Sequence, residues 1–67
     1  MTAAQFEVLA PSEAEELLRA RFEAFAEWGC PLDDALMLAG HVEIDVVDAV
    51  ALLQRDCPPR LIPRLLG

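Results

Sequence analysis

Apolar side chains recur at steps of three and four residues in three stretches of the chain, which is the spacing of one helix face. Before the first stretch, Ser12 and Glu15 form an S-x-x-E capping box, which predicts a helix that begins near Glu13. Gly29 supplies a left-handed stop, so we expect the helix to span residues 13 to 28. Its apolar face comprises Ala14, Leu17, Leu18, Phe22, Phe25, Ala26 and Trp28.

Two further helices are predicted. Pro31, suited to a first helical position, begins the second, and Gly40 ends it. Its residues are apolar almost all round, which is typical of a helix buried on more than one side. Asp45 opens the third, which continues to about Asp56. Several of its residues are β-branched, yet the apolar positions keep helical spacing: Val46, Ala49, Val50 and Leu53.

The two ends of the chain lack the pattern of a long helix. Residues 1–11 alternate around Phe6 and Val8 and finish at Pro11, which predicts an extended arm. After the break at 57–59, residues 60–66 are expected to form only a short helical turn or two. We therefore expect an all-α protein: a small three-helix bundle with a short fourth helical segment at the C-terminus, forming one domain over residues 12–67 after an N-terminal arm.

The charge and composition argue against several classes of function. The net charge is -7, a sign that repels phosphate backbones and anionic lipid headgroups, so neither nucleic acid nor a membrane is an expected partner. The chain has one His, one Ser and one Thr and lacks Tyr and Lys, so we expect no enzyme. No apolar run approaches the length of a membrane span and no signal peptide is apparent, which predicts a cytoplasmic protein.

Cys30, His41 and Cys57 are the residues best suited to metal or thiol chemistry. Their spacing matches no structural zinc motif, so no metal or other cofactor is expected. Both cysteines are expected as small side chains at helix starts, with a disulfide or a redox role as alternatives. For His41, directly after Gly40, we expect an imidazole near the last carbonyls of the second helix.

Three short helices cannot enclose all the apolar side chains, and an exposed remainder would mark an interface with another protein or a second copy, as in a homodimer. The surplus is expected in the arm and at Leu61, Leu65 and Leu66. The alternative is that both ends fold back over the bundle.

Residues 28–53 resemble a ubiquitin-associated domain, a three-helix module similar to the amino-terminal part of translation elongation factor Ts. The similarity lies in the Trp28-Gly29-Cys30 loop and, about twenty residues later, in Ala49-Val50 followed by a Leu pair. Cys30 stands where that family has an aromatic residue. The resemblance implies a binding surface for a protein partner at Trp28, Gly29, Cys30, Leu52 and Leu53.

The pattern therefore predicts a noncatalytic protein-interaction module or accessory subunit that docks through an apolar patch. An alternative places the second and third predicted helices as a DNA-binding helix-turn-helix. The start of its recognition helix, residues 45–49, offers two carboxylates and no side chain that donates to bases or phosphates, which opposes docking on DNA.

Overall fold

The computed structural model describes residues 1–67 and consists of helices joined by short connections, with no strand. The all-α prediction is confirmed. The helices are α1 (Ala3–Glu7), α2 (Pro11–Glu27), α3 (Leu32–Gly40), α4 (Val46–Leu53) and α5 (Ile62–Leu66), and a 3-10 turn at Pro59–Leu61 leads into α5.

The prediction of an extended arm over residues 1–11 is wrong, because α1 forms there. A capping box closes its N-terminus: the Gln5 amide donates to the Thr2 hydroxyl at 3.1 Å, and the Thr2 amide donates to the Gln5 side-chain oxygen at 2.9 Å. This T-x-x-Q pair satisfies two amides at the start of the helix. The local cap thus prevails over the alternation of Phe6 and Val8, of which Val8 is 84% exposed.

The start of α2 also differs from the prediction. The helix begins at Pro11, whose missing amide is harmless in a first turn, and Ala10 precedes it without any side-chain cap. Ser12 therefore lies inside the helix, and the predicted Ser12–Glu15 capping box does not form.

Helices α2 and α4 end in the same backbone motif. After α2, Gly29 adopts a φ of +83°, the Gly29 amide donates to Ala26, and the Cys30 amide donates to Phe25. After α4, Asp56 adopts a φ of +62°, with equivalent bonds from Asp56 to Leu53 and from Cys57 to Leu52. Both are Schellman caps. The second ends α4 at Leu53, short of the predicted Asp56, because a left-handed residue cannot continue the helix.

These two caps explain the positions of the two cysteines. In a Schellman motif the second residue after the cap packs back on the last turn, and both helices have a cysteine there, followed by proline. Cys30 is buried beside Phe25 in the core, and Cys57 packs partly against the same cluster. The prediction of both cysteines at helix starts thus becomes more specific: each is the apolar residue that closes the preceding helix.

The core is formed by side chains from widely separated parts of the sequence. Phe25, Leu38, Ile44 and Ile62 are fully buried and come from α2, α3, the connection before α4 and α5. Helix α2 packs mainly along α3 and also contacts α4, α5 contacts α4, and the 3-10 turn contacts α3. The C-terminal region is therefore anchored by Ile62 and is part of the globule.

Candidate interaction surface

An open apolar groove runs between the C-terminal half of α2 and the exposed side of α4. Trp28 stands at one end of it, 51% exposed, and Val47 lies on its α4 side, 74% exposed. This part of the groove encloses about 370 Å³. Its lining is completed by Ala24, Glu27, Val46, Val50, Ala51 and Gln54.

A second cleft extends the groove towards the N-terminal part of α2. It encloses about 350 Å³ between α2 and residues 42–46, and it shares Ala24 and Val46 with the first. Leu17, Ala20 and Ile44 add apolar lining, and Met1 closes one side. We call the two clefts together the interaction groove. Along α2 it reaches from Leu17 to Trp28, about 16 Å at the helical rise per residue.

The interaction groove includes one buried cation, Arg21, whose position is fixed by main-chain carbonyls. Its side chain is 8% exposed. The guanidinium donates to the carbonyl oxygens of Leu38 at 3.1 Å, Ala39 at 3.0 Å and His41 at 2.7 Å, which satisfies carbonyls at the end of α3. It also lies 5.8 Å from the centre of the Phe25 ring. Burial lowers the pKa of Arg21, while the nearby carboxylates of Glu43 and Asp45 act in the opposite direction.

His41 does not have the position expected for it. Arg21 occupies the last carbonyls of α3, and the His41 Nδ1 atom instead lies 3.0 Å from Glu43 Oε1. A backbone hydrogen bond and the one with His41 hold the pKa of Glu43 below its usual range. Any stabilisation from this exposed carboxylate is therefore present above its ordinary pKa and is lost as the pH falls through the lowered one.

The residues of the predicted loop surface meet in a third cleft, of about 270 Å³. The residues that line it include Trp28, Gly29, Cys30, Leu53 and Cys57. Both thiols are free. Burial, and secondarily the Asp34 carboxylate, raise the pKa of Cys30. Trp28 joins this cleft to the interaction groove.

The remaining predicted site residues lie elsewhere. Leu52 is half-buried against the core and lines none of these clefts. Leu61, Leu65 and Leu66 are exposed in the C-terminal region and line none of the three clefts. The predicted site residues therefore fall into two groups, one that lines the clefts around Trp28 and one in the C-terminal region.

Sequence reasoning missed two features of the groove. Val47 is not among the apolar positions that the spacing of the third predicted helix marks, and it points away from Ala49, which is fully buried. The helical wheel contains that signal, since residues two positions apart face different ways. Arg21 gave no such signal. It lies within a helix rich in charges, and its acceptors are carbonyls 17 to 20 residues away.

No group of three or more His, Cys, Asp or Glu side chains is arranged to hold a metal ion. None of the helices combines the length and the apolar character needed to cross a membrane. In comparisons with known proteins, no family model, curated protein or solved structure gave a significant match to this chain.

Proposed function

We propose that this chain is a noncatalytic protein-interaction module, in which α2, α3 and α4 form a three-helix frame and a protein partner docks in the interaction groove. The observation that carries the proposal is the pair formed by Trp28 and Val47, two large apolar side chains exposed at the same groove. The partner is another protein or a second copy of this chain.

Physical reasoning supports docking at this position. Burying an apolar side chain such as Val47 removes its surface from water at a gain of about 25 cal/mol per Å². Tryptophan is among the residues that most often dominate the binding energy of an interface. A groove with an apolar floor and a charged rim matches the usual arrangement of a binding surface, in which a dry centre is surrounded by polar groups.

The resemblance to ubiquitin-associated modules supports the interaction groove at one residue, Trp28. In such modules the loop after helix one and the end of helix three bind the partner. Here Trp28 belongs to that loop and lines the interaction groove, whereas Gly29, Cys30 and Leu53 line the third cleft and Leu52 lines none of the three.

A noncatalytic role is supported by the state of the cysteines. Cys30 is buried, and its raised pKa favours the protonated thiol at neutral pH, which is a poor nucleophile.

Site-specific photocrosslinking tests the proposal. The full chain would be expressed in its native cell with p-benzoylphenylalanine in place of Val47, irradiated and analysed by mass. We expect a discrete covalent adduct, either with a second copy or with one other protein. The matched control carries the same crosslinker in place of Val8, which is even more exposed but lies outside the groove.

The comparison between the two positions decides the outcome. An adduct formed from position 47 and absent from position 8 supports docking in the groove. Equal adducts from both positions, or none from position 47, contradict it.

A further inference from the structure

The chain divides sharply by charge. Residues 1–56 carry all twelve acids and three arginines, a net charge of -9, whereas residues 57–67 carry Arg60 and Arg64 and no acid, a net charge of +2. Residues 60–66, here called the C-terminal segment, are also apolar on the outside: Leu65 is 63% exposed, and Leu61 and Leu66 are 42% and 39% exposed.

The interaction groove has the complementary character. Its floor is apolar, and Glu27 and Asp45 are its acidic lining residues. Asp48 is exposed on α4 next to Val47. Arg21 is the one basic residue in the lining, and its guanidinium is already hydrogen-bonded to three carbonyls. The rim therefore attracts a cationic segment, and the floor accepts leucine side chains.

We infer that the interaction groove of one copy receives the C-terminal segment of a second copy, with the leucines on the apolar floor and Arg60 and Arg64 at the acidic rim. The inference rests on the proposed function and names its partner. Seven residues at the helical rise span about 10 Å, which fits within the roughly 16 Å of groove along α2. Ile62 stays buried in its own core, so the segment presents its outer face without leaving its chain.

Reciprocal docking gives a closed dimer, in which each copy contributes one groove and one C-terminal segment. A two-fold arrangement of this kind buries both the groove and the C-terminal segment of each copy, so neither is left free to continue into a chain of subunits. Because opposite charges meet at the rim, the association is expected to weaken as salt screens them.

Sedimentation equilibrium over a concentration series tests the inference with the full chain, in reductant, at low and high salt. We expect the mass to rise from 7.4 kDa towards twice that value, with weaker association at high salt. Val47→Ser in the groove and Leu65→Ser in the C-terminal segment should each raise the dissociation constant about tenfold or more. Val8→Ser, at an exposed residue outside both surfaces, should leave it unchanged.

Mixing the variants identifies which surfaces meet. The Val47→Ser chain keeps an intact C-terminal segment, and the Leu65→Ser chain keeps an intact groove. An equimolar mixture can therefore form one of the two native contacts, and it should associate more tightly than either variant alone. Circular dichroism of each variant confirms that these exposed substitutions leave the helices intact.

Two results would overturn the inference. A Leu65→Ser chain that associates like the unmodified one would show that the C-terminal segment is not what occupies the groove. A chain of 7.4 kDa at all concentrations would exclude the second copy as the occupant. The second result leaves the proposed function standing if the crosslinker at position 47 still captures a different protein, so the two failures are distinguishable.

Discussion

Removing the Arg21 guanidinium tests most directly whether its hydrogen bonds to α3 stabilise the fold. Arg21→Met keeps most of the aliphatic stem that packs beside Phe25, and it deletes the three hydrogen bonds to the carbonyls of α3 and its connection. The structure offers these carbonyls no other side-chain donor. We therefore expect the variant to lose stability while keeping its all-α fold.

The magnitude follows from the three bonds. A hydrogen bond to a charged group contributes about 1.5–3 kcal/mol, and we take about 1 kcal/mol for each because the Leu38 and His41 carbonyls also accept from main-chain amides and keep a partner in the variant. The loss is then about 3 kcal/mol. A chain of 67 residues has a total stability of about 3–10 kcal/mol, so the variant loses a third or more of it. For a domain of this size, 3 kcal/mol corresponds to a fall in Tm of about 12–24 °C.

Urea unfolding followed by far-ultraviolet circular dichroism measures the effect. Arg21→Lys keeps the positive charge but loses the planar guanidinium. Its free energy of unfolding should lie between those of the unmodified chain and Arg21→Met. The control is Arg19→Met on the same helix, because Arg19 is exposed and makes no hydrogen bond or ion pair, so its loss should stay within about 0.5 kcal/mol. If Arg21→Met and Arg19→Met unfold at the same urea concentration, the bonds to α3 do not stabilise the protein and the reasoning is refuted.

Three further predictions concern the helix caps, the core and the thiols. Gly29→Ala places a Cβ on a left-handed residue and should lower the free energy of unfolding by about 1 kcal/mol, whereas Asp56→Gly should raise it by about 0.5 kcal/mol; changes of the same sign in urea unfolding would contradict this. Ile62→Ala should lower it by about 3 kcal/mol because the side chain is fully buried, and a loss below about 1 kcal/mol in the same assay would show that the C-terminal region is not part of the core. Iodoacetamide should modify Cys57 well before Cys30, since burial and a neighbouring carboxylate raise the pKa of Cys30; equal rates by peptide mass spectrometry would speak against this.

Most helix positions could be predicted from the sequence because their signals are local. Gly29 marks the end of α2, and the Asp45 side chain caps α4 by accepting from the Val47 amide at 2.8 Å. Such a cap needs only residues two or three positions apart. The predictions for the N-terminal arm and for the start of α2 were wrong because two local signals competed at each place. At the N-terminus the T-x-x-Q cap of α1 opposed an alternating pattern, and at α2 the proline prevailed over the Ser12 box.

The groove could be predicted only in part. Trp28 and Gly29 follow from the pattern around the end of α2, because the turn itself exposes them. The position of Val47 at the groove depends on how α4 packs against α2. The acceptors of Arg21 depend on the path of the chain after α3. Both are set by packing across the molecule, and no short-range pattern of residues contains that information.

The way Arg21 holds α3 has a consequence for how freely the sequence can vary. Because its acceptors are main-chain carbonyls, the hydrogen bonds do not depend on which side chains stand at positions 38, 39 and 41. An ion pair between two side chains requires both partners to be retained, whereas this contact requires one. Selection for stability should therefore act strongly on position 21 and leave the half-exposed position 41 free to drift. In a panel of substitutions at the two positions, arginine should give the highest free energy of unfolding at the first, and many residues should leave it unchanged at the second.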